Sequence, residues 1–258
     1  MQRKVKILGL CGSPRSGGNT EYALRQALEA ATEIGNVESE FIGLAGKRIA
    51  PCRGCLLCCA KPNAERFCYG SNDDFQLILK RLIEADGIII ASPVYVLNVS
   101  ALLKAFLERA GITASANGML LRNKVGAAIV TSAGRNIGPE STIVAIHNFF
   151  HVNDMPIIGV GPERPDNINA FSGGVALEGF PEIKLTDIDK GFVGVSEDKY
   201  GLRTIRQLGK RLAELAKIVA TGISALSEKE LVWPRSKPVS GIYEYTKPAA
   251  DQKNPTGL

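Results

Sequence analysis

Short, uninterrupted apolar runs alternate along this chain with segments whose apolar residues recur at helical spacing. The first run, VKILGLC from Val5 to Cys11, ends in Gly-Ser-Pro and predicts a buried strand. From Thr20 to Ile34 the residues Ala23, Leu24, Ala27, Leu28 and Ala31 form a helical stripe. VESEFIGL, beginning at Val37, alternates as a second strand does. Asp73 predicts a helix start, with Gln76 in the capping-box position and Phe75, Leu77, Ile78, Leu82 and Ile83 on the apolar face. GIIIASP, Gly87 to Pro93, is apolar throughout and predicts a third strand buried on both sides. A helix then runs from about Ser100 to Ala110, VGAAIVTS makes a fourth strand, and a helix covers about Pro139 to Val152. MPIIGVG predicts a fifth strand, and a helix from about Lys199 to Thr221 packs last.

Strand and helix alternation of this kind gives a parallel sheet with helices on both faces. Five strands favour the flavodoxin-like order 2-1-3-4-5, an α/β three-layer sandwich, over the Rossmann order. The expected organisation is one domain over 1–225, carrying a cysteine-rich loop at 51–72 and a Gly-, Pro-, Asn- and Asp-rich surface excursion at about 161–198. A tail over 226–258 holds Trp233, Pro234, Tyr243 and Tyr245 among glycines and prolines, which suggests that it lies against its own domain or a neighbouring subunit.

Composition narrows the chemistry only a little. At 258 residues, 45% apolar and 22% charged, the chain can bury a substantial core. The net charge of +5 is mild and forms no basic run, which argues against nucleic-acid binding. A modest positive surface suits an acidic electron donor or a phosphorylated cofactor. The apolar stretch after MQRK is too short for a signal h-region, and nothing approaches the roughly 18 apolar residues of a membrane span. A cytoplasmic protein is therefore expected, in which clustered cysteines mean metal or redox chemistry more often than disulfides.

Five of the six cysteines fall within PCRGCLLCCAKPNAERFC: Cys52, Cys55, Cys58, Cys59 and Cys68. The even spacing of Cys52, Cys55 and Cys58 lets a short loop aim thiolates at one place. It is closer to the C-x2-C-x2-C run of cluster-binding ferredoxins than to the paired C-x2-C units of zinc fingers. Thiolates are soft donors, so iron–sulfur and zinc both stay open, as does a metal-free redox loop. Cys59 is read as a packing residue and Cys11 as a small buried hydrophobe.

GSPRSGGNT, Gly12 to Thr20, lies where the first strand turns into the first helix. Free amides and the positive end of the helix dipole favour a phosphate there. Ser13, Ser16, Asn19 and Thr20 add side-chain donors, Arg15 adds charge, and Gly17 and Gly18 admit close approach. The alternative is an ordinary capped turn. The loop is neither a Walker A sequence nor G-x-G-x-x-G. Two more loops, SPVYVLNVS (Ser92 to Ser100) and TSAGRNIGPE (Thr131 to Glu140), fall on the same C-terminal edge of the sheet, where ligands of open α/β sheets bind. Tyr95 and its apolar neighbours suit a flat ring, the amides of Val94 to Asn98 its polar rim, and Gly134 and Arg135 its other side.

GSPRSGGNT, PCRGCLLC with a later cysteine, DDF and ADGIIIASPVYVLNVSALLKAFLER together resemble the iron–sulfur flavoproteins within the NADPH-dependent FMN reductase group. The resemblance covers roughly Val5 to Gly161 and the last helix. It implies a flavodoxin-like fold, FMN, a 4Fe–4S cluster and a dimer or tetramer in which the flavin lies near a neighbouring subunit. Carried over, the phosphate contacts fall on Ser13, Arg15, Ser16, Gly18, Asn19 and Thr20. Ring contacts fall on Pro93, Val94, Tyr95, Asn98, Ser132, Gly134 and Arg135, and cluster ligands on Cys52, Cys55, Cys58 and Cys68. Two features depart from the family's pattern: a longer gap before the fourth cysteine, and Cys59 as a rival thiol beside Cys58.

His147 and His151 are four apart on one predicted helix near Glu140, but no complete ligand set accompanies them. No hydrolase triad is visible, and no catalytic acid or base is assigned. The reading is an oxidoreductase moving electrons between FMN and a cluster, with NAD(P)H or ferredoxin as donor. The rivals are an NAD(P)H-dependent FMN reductase without a cluster, and an electron carrier or redox sensor without a substrate of its own.

Overall fold

The computed structural model describes residues 3–61, 63, 66–163, 168–170, 172–177, 194–227 and 229–231. The aromatic tail residues Trp233, Tyr243 and Tyr245 lie outside them, as does much of the 161–198 excursion. Chain order runs β1 (Val5–Cys11), α1 (Asn19–Thr32), β2 (Val37–Gly43), a single-turn α2 (Leu57–Ala60), α3 (Phe75–Glu84) and β3 (Gly87–Pro93). It continues through α4 (Ala101–Ala116), β4 (Val125–Ser132), α5 (Pro139–Val152), β5 (Val160–Glu163), β6 (Ile168–Ala170), β7 (Gly174–Leu177), a 3-10 turn (Gly194–Glu197) and α6 (Lys199–Ala225).

The sheet is five-stranded and parallel, in the order β2-β1-β3-β4-β7. Its first four places follow the expected order, and a later segment takes the fifth. MPIIGVG pairs with β4 only through the bridge between Gly126 and Ile157, where Gly126 donates to Pro156 and Ile158 donates back to Gly126. Pro156 has no N–H to extend that ladder. Val160–Glu163 turns instead to pair antiparallel with β6, and Gly174–Leu177 completes the sheet.

Strand alternation sorts the core into two layers. Leu8, Leu10, Ile88, Ile90, Ala128 and Val130 pack on one side with residues of α3, α4 and α5. Ile7, Cys11, Ile89, Ala91, Ala127 and Ile129 pack on the other with α1 and α6. Every residue of β3 and β4 is buried, whereas the edge strand β2 has Glu38 exposed and Glu40 half-buried against Arg81. Each fully buried Leu or Ile contributes roughly 1.5–3 kcal/mol, so the ends of the central strands are firm mounts for the loops they carry. Two glycines set the helix packing: a Cβ at Gly12 would sit 2.6 Å from Leu103 Cβ of α4, and one at Gly209 would collide with the Ala27 backbone of α1.

Helix α3 runs from Phe75; Asp74 before it is already helical in backbone and makes no side-chain cap bond, and Asp73 supplies the expected cap, its Oδ1 accepting from the Phe75 amide at 3.3 Å. Asp73 has other work too. Its carboxylate accepts from the Ala50 amide at 2.8 Å and from the Arg109 guanidinium at 2.6 Å, tying the cysteine loop to α4. Helix α4 also runs further than the expected end at Ala110, to Ala116, and its extra turn passes under the cysteines.

Candidate functional site

The loops after β1, β3 and β4 meet at one edge of the sheet and are bonded to each other. Gly12 donates to the carbonyl of Ala91 at 2.7 Å, Val94 to that of Thr131 at 2.9 Å, and Ser100 Oγ to that of Gly12 at 2.5 Å. Ser100 also caps α4 by accepting from Leu103 N. The buried hydroxyls of Thr20 and Thr131 share a hydrogen bond of 2.7 Å between α1 and the end of β4. Ser100 and Thr131 were not among the residues singled out in the sequence. As buried hydroxyls that stitch loops together, they look like any cap or strand residue until the loops are placed side by side.

Within the first loop, Ser13 is buried and accepts from the Arg15 amide, while Arg15 and Ser16 are exposed. Gly17 takes φ +67° with open space around its α-carbon, and Gly18 is an extended N-cap with no side-chain cap. The first-turn amides of Asn19 and Thr20 therefore open toward the loop without a capping side chain. Asn19 uses its Oδ1 to accept from Val195 at 3.2 Å, leaving its Nδ2 as the donor. Glu21 already supplies negative charge here: its carboxylate accepts from the Gly17 amide at 2.9 Å and pairs with Arg25. Burial opposes that charge, but the Gly17 amide and Arg25 hold the Glu21 carboxyl below its usual range. An amide-rich helix start that attracts a carboxylate fits a phosphate.

In the second loop, Pro93 ends β3 and Tyr95 to Asn98 form a tight turn bonded at both ends, Tyr95 N to Asn98 O and Asn98 N to Tyr95 O. Of the amides expected to meet a ring, those of Val94, Tyr95 and Asn98 are therefore engaged, and Val96 and Leu97 stand at the tip. Both tip residues have positive φ, 49° and 60°, and Val96 is 97% exposed. The start of α5, which follows the third loop, reaches back to this turn, with Ser141 Oγ donating to Leu97 O at 2.5 Å. Ser132 is buried and donates to Gly134 O at 2.8 Å, while Arg135 is exposed beside them.

The cysteine loop leaves β2 on the same edge. Gly54, at φ +63°, turns the chain between Cys52 and Cys55, and α2 carries Cys58 and Cys59. Cys52, Cys55, Cys58 and Cys68 line one small cavity together with Arg109, Ile112 and Thr113 of α4. Cys59 is exposed, its Sγ 4.0 Å from that of Cys58. Burial and the neighbouring Cys59 push the Cys58 thiol up to about 11, and the Thr113 hydroxyl facing it pulls the other way. Phe67, buried in the core, anchors the chain next to Cys68. All six cysteines are free, and among the described residues no three metal-binding side chains converge on one ion's position. Four thiols around one cavity, with N–H and O–H donors behind them, form a soft donor set that fits an iron–sulfur cluster, whose irons are each bound by a separate cysteine. Beside this cavity a groove of about 640 Å³ runs between α4 and α5, from Cys52 and Gly54 to Asn98 and Val99. It joins the cysteine loop to the turn after β3.

Residues 5–161 match the family model described as NADPH-dependent FMN reductase. An iron–sulfur flavoprotein of Methanocaldococcus jannaschii is 40% identical over 215 residues, covering 83% of this chain and 99% of that protein. An iron–sulfur flavoprotein of Methanosarcina thermophila is 33% identical over 215 residues, covering 83% of this chain and 97% of its own length. Among solved structures, a WrbA-like protein from Agrobacterium tumefaciens, described as a flavodoxin, superimposes with a TM-score of 0.50 at 16% identity, covering 83% of this chain and 98% of that one. RosB, solved with a bound riboflavin-phosphate intermediate, gives a TM-score of 0.61 at 14% identity, covering 98% and 90%. These two structural likenesses concern the fold. The matches in sequence, together with the loops and thiols described above, place the chain in the NADPH-dependent FMN reductase family, among its iron–sulfur flavoproteins, as a flavin oxidoreductase of flavodoxin-like fold.

Proposed function

We propose that this oxidoreductase holds FMN on its three edge loops and a 4Fe–4S cluster on Cys52, Cys55, Cys58 and Cys68, and passes electrons between them. The observation that carries the reading is the groove joining Cys52 to Asn98, which gives the thiol cavity and the ring-binding turn one shared approach. Ser13, Arg15, Ser16, Gly18, Asn19 and Thr20 hold the phosphate through amides, hydroxyls and one guanidinium. Pro93, Val94, Tyr95 and Asn98 bound the ring on one side, and Ser132, Gly134 and Arg135 approach from the other. When bound, FMN exchanges electrons as a pair or singly and the cluster exchanges them singly, so that together they link two-electron to one-electron partners. The protein supplies position and electrostatics for this, and no side chain need act as acid or base.

The groove's openness supports an enzyme that admits a donor such as NAD(P)H or ferredoxin. Tyr95, Val96, Leu97 and Ile137 form an exposed apolar tip beside the ring loops, which suits coverage by a second subunit in a homo-oligomer. Reduced thiols fit a cytoplasmic setting. Among the described residues no helix is long and apolar enough to cross a membrane.

The test is purification without air, followed by absorbance, FMN, iron and acid-labile sulfide analysis. FMN with iron and sulfide is the expected result. Flavin with neither iron nor sulfide, in protein never exposed to oxygen, would leave a plain FMN reductase. Steady-state assays with NADPH, NADH and reduced ferredoxin then identify the donor, and turnover with none of them would favour a carrier.

A further inference from the structure

Arg109 sits in the middle of α4 with its side chain 2% exposed, on a helix whose other buried residues are apolar or small apart from Thr113. A buried guanidinium is costly unless each donor finds a partner, so its contacts state its purpose. Nη1 donates to Ala50 O at 3.0 Å and to Asp73 Oδ2 at 2.6 Å. The guanidinium carbon lies 4.0 Å from the centre of the Phe75 ring, a cation–π contact. Nη2 is left to donate to Cys68 Sγ at 3.4 Å. Three of these partners belong to the start of α3 and the strand-side end of the cysteine loop. The fourth is one of the thiols lining the cavity.

Cys68 is the cysteine whose position local spacing specifies least. Cys52, Cys55 and Cys58 follow one another at three-residue intervals, whereas Cys68 comes after a long connection. Closing a longer loop costs more entropy and leaves more places for its end to lie. Phe67 brings the chain to the core, and the Arg109 fork then selects one place for the neighbouring sulfur. Thr113, one turn further along α4 and 1% exposed, lines the same cavity opposite Cys58.

We propose that Arg109 is a positioning residue for the cysteine site: it fixes Cys68 as the fourth ligand and donates a charge-assisted hydrogen bond to its sulfur when the cluster is held. The inference rests on the cluster reading given above. Outer-shell donors of this kind orient ligands and tune the metal. A hydrogen bond to a ligand sulfur stabilises the more negative, reduced state and so raises the reduction potential.

The experiment compares wild-type protein, prepared without air, with Arg109→Lys. Lysine keeps the charge facing Asp73 but lacks the fork that reaches two partners at once. Circular dichroism checks the fold, chelator challenge times the loss of iron, and a redox titration followed by electron paramagnetic resonance gives the midpoint potential. The expected variant is folded, loses iron about 10-fold faster, and titrates at a more negative potential. Should Arg109→Lys fail to fold, the Arg109→Met/Asp73→Asn pair leaves no lone buried charge and is measured in the same way. Folded variants with wild-type iron retention and wild-type potential would overturn the role of Arg109 while leaving the cluster reading intact. Faster iron loss at an unchanged potential overturns the hydrogen-bond part. Wild-type protein without iron instead overturns the cluster reading, and the inference with it.

Discussion

Cys58 and Cys59 are chemically identical neighbours, and only their surroundings separate them. Cys58 turns toward α4, lines the cavity with three other thiols and meets the Thr113 hydroxyl, while Cys59 faces solvent. Cys58→Ser is therefore expected to lose most of its iron and sulfide, and Cys59→Ser to keep the wild-type content, by elemental analysis of protein handled without air. The reverse pattern would move the third ligand to Cys59. At this scale the sequence offers the candidates and the fold chooses among them. Arg109 is the sharper case, because its partners lie 36 and 41 positions away in the chain. Its only trace in the sequence is a charge within an apolar helical stripe.

The turn from Tyr95 to Asn98 belongs to the scale of the element. Two-residue turns with positive φ at both central positions favour Asn and Gly, yet this one carries Val96 and Leu97. A β-branched residue held in the left-handed region costs on the order of 1 kcal/mol or more, and Val96 recovers none of that by burial, being 97% exposed. Val96→Asn should raise the unfolding free energy of the flavin-free protein by about 1 kcal/mol, as read by urea titration. Lower stability in the variant would mean that Val96 is covered by something in solution. Helix α4 shows the complementary point. Its apolar stripe predicts a helix from its first turn, but its last turn, under the cysteines, is stabilised by packing against a loop distant in sequence.

At the scale of the whole molecule, a half-buried amine beside the sheet responds to pH. Lys124, just before β4, donates to Ala85 O at 2.6 Å, and burial pulls its amine down to about 8, with Asp86 opposing and Arg3 reinforcing the shift. Below pH 8 both the folded and the unfolded chain carry this proton. Between about 8 and 10.5 the unfolded chain still binds it and the folded chain does not, so this group makes stability rise with pH across that window. The rise is roughly 2 kcal/mol. Lys124→Met removes it. Urea unfolding of the two proteins at pH 7 and pH 10 should show their difference in stability moving by about that amount, in favour of wild type at high pH. A constant difference would mean that the amine stays hydrated.

The alternation of buried strands with amphipathic helices determined by itself the fold class, the first four places of the sheet and the loops that gather at its carboxyl edge, because burial period and turn chemistry are local properties. The cysteine spacing likewise named the thiols. Only the tertiary structure decided that Gly174–Leu177 and not MPIIGVG closes the sheet, since Val160 pairs with Ala170 of β6 while Gly174–Leu177 takes the place beside Ile129–Ser132. Only the tertiary structure set Arg109 against Cys68, Cys58 apart from Cys59, and the cysteine loop in one groove with the turn after β3. Each of these is a contact between residues far apart in the chain. Such contacts depend on how helices stack on a sheet, which no local periodicity encodes.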